Sequence, residues 1–141
     1  MIAREIMTAT PAVVSQDDSI RRAAGIMRDE EVGMLPVVND AKNMALVGII
    51  TDRDIVVRHV AECTDDCAVK SHMSSRNIAT VKDEDDASVV LDLMQTHQIR
   101  RVPVVNDSGR LIGVIAQADI AICDEIPKED LADTVKEISM P

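Results

Sequence analysis

The sequence repeats itself. Leu35-Pro36-Val37-Val38-Asn39-Asp40 returns 67 residues later as Val102-Pro103-Val104-Val105-Asn106-Asp107, and Leu46-Val47-Gly48-Ile49-Ile50 returns 65 residues later as Leu111-Ile112-Gly113-Val114-Ile115. The first copy therefore has a slightly longer loop between these runs. Upstream, Ile20, Ala23, Ala24 and Met27 match Ala87, Val90, Leu91 and Met94, and Met7-Thr8 resembles Met73-Ser74. Two copies of one unit, roughly residues 7–60 and 73–123, thus dominate a chain of 141 residues. Neither copy is large enough to bury both faces of a sheet by itself. Packed sheet against sheet about a pseudo-twofold, the two would share a core and open equivalent clefts on either side of the axis.

Each copy carries the same local signals. Ile20, Ala23, Ala24 and Met27 recur at i, i+3, i+4 and i+7, the stripe of an amphipathic helix, and Asp17, Asp18 and Ser19 suit its start. Leu35 to Val38 and Leu46 to Ile50 are short, apolar and β-branched, which predicts two strands around a turn. A second helix runs from Arg53 to about Ala61. The second copy predicts a helix after Asp83-Glu84-Asp85-Asp86, strands from Arg101 and Leu111 around Asp107-Ser108-Gly109, and a helix from Gln117. Val13-Val14 and Thr80-Val81 add a short entry strand to each. The expected fold is α+β. Its division is an N-terminal arm with repeat 1 over 1–62, a linker over 63–72, repeat 2 over 73–123, and an acidic tail over 124–141. Leu131, Val135 and Ile138 make that tail a short amphipathic helix. A Met start and a tail after the second repeat are what a complete chain would have.

Composition narrows the function. The net charge of −10 argues against nucleic acid, whose affinity rests on basic residues neutralising phosphates. The absence of Phe, Tyr and Trp removes stacking platforms for single strands. No polybasic patch or long apolar run points to a membrane. The eight Met then fill core gaps that aromatics would otherwise fill. With no export signal and three cysteines, Cys63, Cys67 and Cys123, a reduced cytoplasmic setting is expected. No nucleophile–base pair, Walker loop or dinucleotide fingerprint is present, so an enzyme is not expected.

One block ends a strand and opens a helix: Gly48-Ile49-Ile50-Thr51-Asp52-Arg53-Asp54. A helix N-terminus offers free N–H groups to phosphate, and a carboxylate there matches the vicinal diol of a ribose. Thr51-x-x-Asp54 also has the spacing of a capping box, which would serve only to start the helix. In the second copy the block is Gly113-Val114-Ile115-Ala116-Gln117-Ala118-Asp119, where Ala116 cannot cap and the acid persists.

These motifs resemble the CBS domain, whose pattern is a hydrophobic-Pro-Val-Val strand followed by Gly-h-x-Thr/Ser-x-x-Asp. The doubled pattern is similar to a tandem CBS pair, or Bateman module. The Thr51 to Val56 stretch looks like that of small bacterial stand-alone pairs, the hypoxic response type among them. The resemblance covers about 7–123 and implies two pseudo-twofold-related βαββα repeats. It also implies regulatory binding of AMP, ADP, ATP or S-adenosylmethionine, homodimerisation, and signalling to a protein partner. Asp54 and Asp119 would hold ribose hydroxyls and Thr51 ribose or phosphate. Arg53 and Arg101 are phosphate candidates. Thr10 and Val13 lie in the entry segment where relatives meet adenine. The site around Asp119 lacks a hydroxyl and would bind more weakly.

His59, Cys63, Cys67 and His72 form a second cluster, with the first three spaced by four and sharing a helix face if the helix continues. Two Cys and two His could satisfy tetrahedral zinc. The spacing is loose and His72 would have to fold back, so the favoured reading assigns no metal: two partly buried cysteines and two solvated histidines. Cys123 has no evident partner, and His97 ends a helix. The alternatives to the nucleotide sensor are therefore a ligand-free interaction module and a cysteine-based redox or metal responder.

Overall fold

The computed structural model describes residues 1–62 and 65–141. In chain order the elements are α1 (Ala3–Ile6), β1 (Thr8–Ala9), β2 (Val14–Ser15), α2 (Ile20–Glu30), β3 (Met34–Val38), β4 (Leu46–Thr51) and α3 (Asp52–Asp54). There follow a π-helical segment (Ile55–Val60), a 3-10 turn (Val69–Ser71), β5 (Val81–Lys82), α4 (Ala87–His97), β6 (Arg101–Val105), β7 (Leu111–Ala116), α5 (Gln117–Ala121) and α6 (Lys128–Ser139). The described residues form two compact units, one of 12–78 and one of 1–11 with 79–141. The arm 1–11 precedes the first repeat in sequence yet packs with the second.

In the 12–78 unit the sheet order is β2-β3-β4, with β2 parallel and β4 antiparallel to β3. Helix α2 starts where the Ser19 side chain accepts the Arg22 N–H at 3.0 Å, a cap worth about 1 kcal/mol. It buries Ile20, Ala23 and Met27 against Leu35, Val37 and Ile50. Ala24, expected in this stripe, is exposed. The helix expected from Arg53 to about Ala61 is α3 continued by the π-helical segment, of which only Ile55 is buried. The segment after it returns along the repeat. Ile20 N–H donates to Cys67 O at 2.8 Å, Val69 N–H to Asp18 O at 2.8 Å, and Ile49 and Ser74 exchange bonds at 2.8 and 2.9 Å.

The 1–11 and 79–141 unit repeats this plan, with sheet order β1-β7-β6-β5. Here the arm plays the part of the returning segment. Ala3 N–H donates to Asp85 O at 2.8 Å, and Thr8 pairs with Val114 across β1 and β7. The correspondence extends to charge: Arg4 meets Glu84 at 3.5 Å as Lys70 meets Asp17 at 2.9 Å. Helix α4 buries all of Ala87, Val90, Leu91 and Met94. Helix α6 explains the wider stripe, because Leu131 and Ile138 pack against this core and Thr134 Oγ1 accepts from Gln95 Nε2 at 2.8 Å. Of the eight Met, Met27 and Met94 are buried, Met1, Met7 and Met73 pack against a core while partly exposed, and Met140 is exposed, so methionine fills the core only in part. The fold is α+β, two βαββα repeats in which the entry strands β2 and β5 each form one edge of their sheet. No helix among the described residues is long and apolar enough to cross a membrane.

Candidate functional site

Strand β4 leaves its sheet at Thr51, and the chain turns at once into α3. The turn closes reciprocally: Thr51 Oγ1 accepts the Asp54 N–H at 3.1 Å, and Asp54 Oδ2 accepts the Thr51 N–H at 3.0 Å. The capping box is formed, and it does not exhaust either side chain. The Thr51 hydroxyl keeps its proton to donate. Asp54 Oδ1 faces Arg58 Nε at 3.7 Å, a loose ion pair, with 16% of the Asp54 side chain open to solvent. Arg53 beside them is exposed, and its guanidinium has no ion-pair partner among the described residues. Met34 lies across the ladder from Thr51, and the Asp52 N–H donates to Gly33 O at 2.9 Å.

The matching junction of the second repeat keeps the scaffold and changes the groups. Ala116 N–H donates to Asp119 Oδ2 at 2.8 Å, but no hydroxyl caps α5. Arg101 takes the place of Met34, opposite Ala116, and Gln117 N–H donates to Arg100 O at 2.8 Å. Arg101 is half-buried without an ion-pair partner among the described residues. Thr10 also belongs to this unit. It is exposed, its hydroxyl donates to Ala9 O at 2.8 Å, and its φ of 48° is left-handed, an unfavourable region for a β-branched residue. Asn77, its counterpart in the second entry segment, has φ 53°, which Asn tolerates better. Val13 is half-buried beside β2 in the other unit. Thus Thr51, Arg53 and Asp54 share one junction, Arg101 and Asp119 serve the other, and Thr10 and Val13 fall in different units.

Arg58 escaped the sequence reading. It bridges Asp54 and the backbone at His72, donating from Nη1 to His72 O at 3.2 Å. Its spacing of four from Asp54 was the available signal. The histidines, expected to be solvated, are half-buried, with His59 Nδ1 and His72 Nε2 3.4 Å apart. The 3-10 turn and the Ile49–Ser74 bridge bring His72 back to the repeat. Cys67 is half-buried and its thiol donates to Asp65 O at 3.5 Å. Its ligand atom and those of the two histidines all lie within 4.8 Å of one another. Cys63 lies outside the described residues. Cys123 has a partner after all, Met1 Sδ at 3.0 Å, and His97 is exposed at the end of α4.

The CBS-domain family description matches residues 3–60 and 69–123. Hypoxic response protein 1 of Mycobacterium tuberculosis is 34% identical over 140 residues, 99% of this chain and 94% of that protein. A crystal structure of Hypoxic Response Protein I with two coordinated zinc ions superposes with a TM-score of 0.78 at 32% identity, covering 90% of this chain and 100% of that one. The CBS domain pair of protein MJ0100, in complex with 5-methylthioadenosine and S-adenosyl-L-methionine, gives a TM-score of 0.72 at 29% identity over 86% of this chain and 93% of that one. Both repeats match, and the likeness runs nearly end to end: the chain belongs to the CBS-domain family as a tandem pair.

Proposed function

We propose that this CBS pair is a non-catalytic regulatory module that binds an adenosine-containing ligand, AMP, ADP, ATP or S-adenosylmethionine, and passes its state to a protein partner. The observation that carries the reading is the Thr51–Asp54 junction. One carboxylate oxygen of Asp54 is held by the Thr51 N–H, and the other, 3.7 Å from Arg58 Nε, is the one that would accept from a ligand hydroxyl. Hydrogen bonds to an ionised carboxylate are worth about 1.5–3 kcal/mol each. Arg53 adds an exposed cation for phosphate, and Thr51 a hydroxyl. Asp119 with Arg101 makes a second, weaker site; Thr10 serves the base in that unit and Val13 in the first. The adenosine compounds named with the MJ0100 pair support this ligand class. Exposed Val56, Val57 and Val60 on the π-helical segment suit a homodimer contact.

The completed capping box favours a second reading, a ligand-free interaction module in which Thr51 and Asp54 only start α3. Titration calorimetry with the four ligands separates the two. The proposed function expects saturable binding to the parent that weakens at least about tenfold in Asp54→Ala. Absence of heat with all four ligands, with Asp54→Ala costing only about 1 kcal/mol of stability, leaves the second reading standing.

A further inference from the structure

We propose that His59, Cys67 and His72 form a site for one divalent transition metal, zinc being the ion their donors fit. The inference is independent of the adenosine reading. It rests on geometry within the 12–78 unit. Zinc bonds of about 2.0–2.1 Å to nitrogen and about 2.3 Å to sulfur, at tetrahedral angles, require roughly 3.3 Å between two nitrogens and roughly 3.6 Å from nitrogen to sulfur. His59 Nδ1 and His72 Nε2 are already 3.4 Å apart. The three ligand atoms lie within 4.8 Å of one another, so the sulfur need close by only about 1 Å. Its bond to Asp65 O, one that it would give up, is a weak thiol contact at 3.5 Å.

The donor set chooses the ion. Two imidazoles and a thiolate suit zinc and its transition-metal neighbours, whereas calcium and magnesium want oxygen. Three protein ligands leave a fourth position for water or an incoming group. Cys67 and His72 are anchored through their backbone. Cys67 O accepts the Ile20 N–H at 2.8 Å, and His72 N–H donates to Val69 O at 3.0 Å. His72 O also accepts from Arg58 at 3.2 Å. His59 sits on the π-helical segment, a distortion that often aims a functional side chain. The chain's charge of −10 adds a long-range attraction for cations.

The protons balance. Without metal, the contact between the two histidines needs one N–H donor between them. With metal, both nitrogens offer lone pairs, so that proton moves to the ring's other nitrogen or to solvent, and the Cys67 thiol loses its own. Affinity therefore falls as pH is lowered.

The test uses the full chain, stripped with chelator and kept under a non-thiol reductant. Zn²⁺ is titrated by calorimetry and Co²⁺ by absorbance; with no Phe, Tyr or Trp the near-ultraviolet background is clear. The expected result is one zinc per chain and a cobalt complex with a thiolate charge-transfer band. His59→Gln and His72→Gln, with circular dichroism unchanged, should weaken zinc by more than the roughly 10–100-fold cost of removing an outer-sphere partner. Cys67→Ser should remove the charge-transfer band. Failure of the folded parent to take up zinc overturns the site, as does zinc affinity unchanged in both histidine variants. A cobalt band undiminished in Cys67→Ser overturns it too. The parent's cobalt spectrum decides even if a variant does not fold, since a complex without thiolate charge transfer also refutes it.

Discussion

In the 12–78 unit Ala24 is exposed on α2; in its counterpart Leu91 on α4 is buried, because α6 lies over that helix. At the strand–helix junctions the contrast reverses. The first unit has Thr51 with Asp54 and an uncharged Met34, and the second has Ala116 with Asp119 and Arg101. Where the first unit gathers His59, Cys67 and His72, the second sets Met1 against Cys123. One backbone plan thus carries two allocations: polar chemistry on an open first repeat, and added apolar cover on the second.

The largest break in this comparison should come from the core. Met94→Ala removes a side chain with no exposure beneath α6, and about 2–5 kcal/mol of stability is expected to go with it. Met27→Ala, at the matching place in a unit without that cover and 7% exposed, should cost less. Chemical denaturation followed by circular dichroism measures both, and equal losses would deny α6 its role.

Next come the glycines where each sheet meets its entry segment. A Cβ on Gly48 would lie 2.7 Å from Met73 Sδ and 2.9 Å from Ser74 O. One on Gly113 would collide with Met7 Sδ and lie 3.0 Å from Thr8 O. The methionines can swing away, but the carbonyls belong to paired backbone. Gly48→Ala and Gly113→Ala should each cost about 1–3 kcal/mol. If only one is costly in thermal melts, the two entry segments are not equivalent supports.

Ala116→Thr should make the junctions alike. It supplies the missing cap to α5, with a gain of about 1 kcal/mol in denaturation, and calorimetry should show tighter ligand binding at the second site. A variant that gains stability without affinity would mark the hydroxyl as a cap alone.

The smallest effect is electrostatic. The Ser88 N–H and hydroxyl hold the Asp86 carboxyl below its usual range at the start of α4. The Asn43 N–H and side-chain amide do the same for Asp40 in the turn between β3 and β4. A carboxylate whose folded value is depressed contributes fully above its unfolded value of about 3.9, and that contribution is lost as pH falls through the folded value. Melting temperatures should therefore drop on acidification below roughly pH 4. Asp86→Asn, which keeps an acceptor at the cap, should flatten the drop; an unchanged profile would remove Asp86 from the account.

Much of this was legible in one dimension. The repeat, the strand pair around each turn and the helix stripes follow from periods of two and 3.6 and from turn residues, which act over a few neighbours. Asp119 behind Ala116 is legible as an acid kept without its hydroxyl partner, and in the structure it still accepts the Ala116 N–H at 2.8 Å. Arg58 was hidden because an i,i+4 pair on a polar face looks like ordinary surface charge. Ala24 misled because its stripe position matches Leu91, while the helix that would cover it exists only on the other repeat.

The sequence by itself determined that one βαββα plan is built twice and that the first junction holds the full Thr–Asp pair. Only the tertiary structure decided that 1–11 joins the second repeat's sheet and that His72 and Cys67 return to His59. Local patterns state which residues want burial, but contacts between distant segments depend on the path of the chain. That path is selected by the summed packing of the unit, to which no single window of sequence has access.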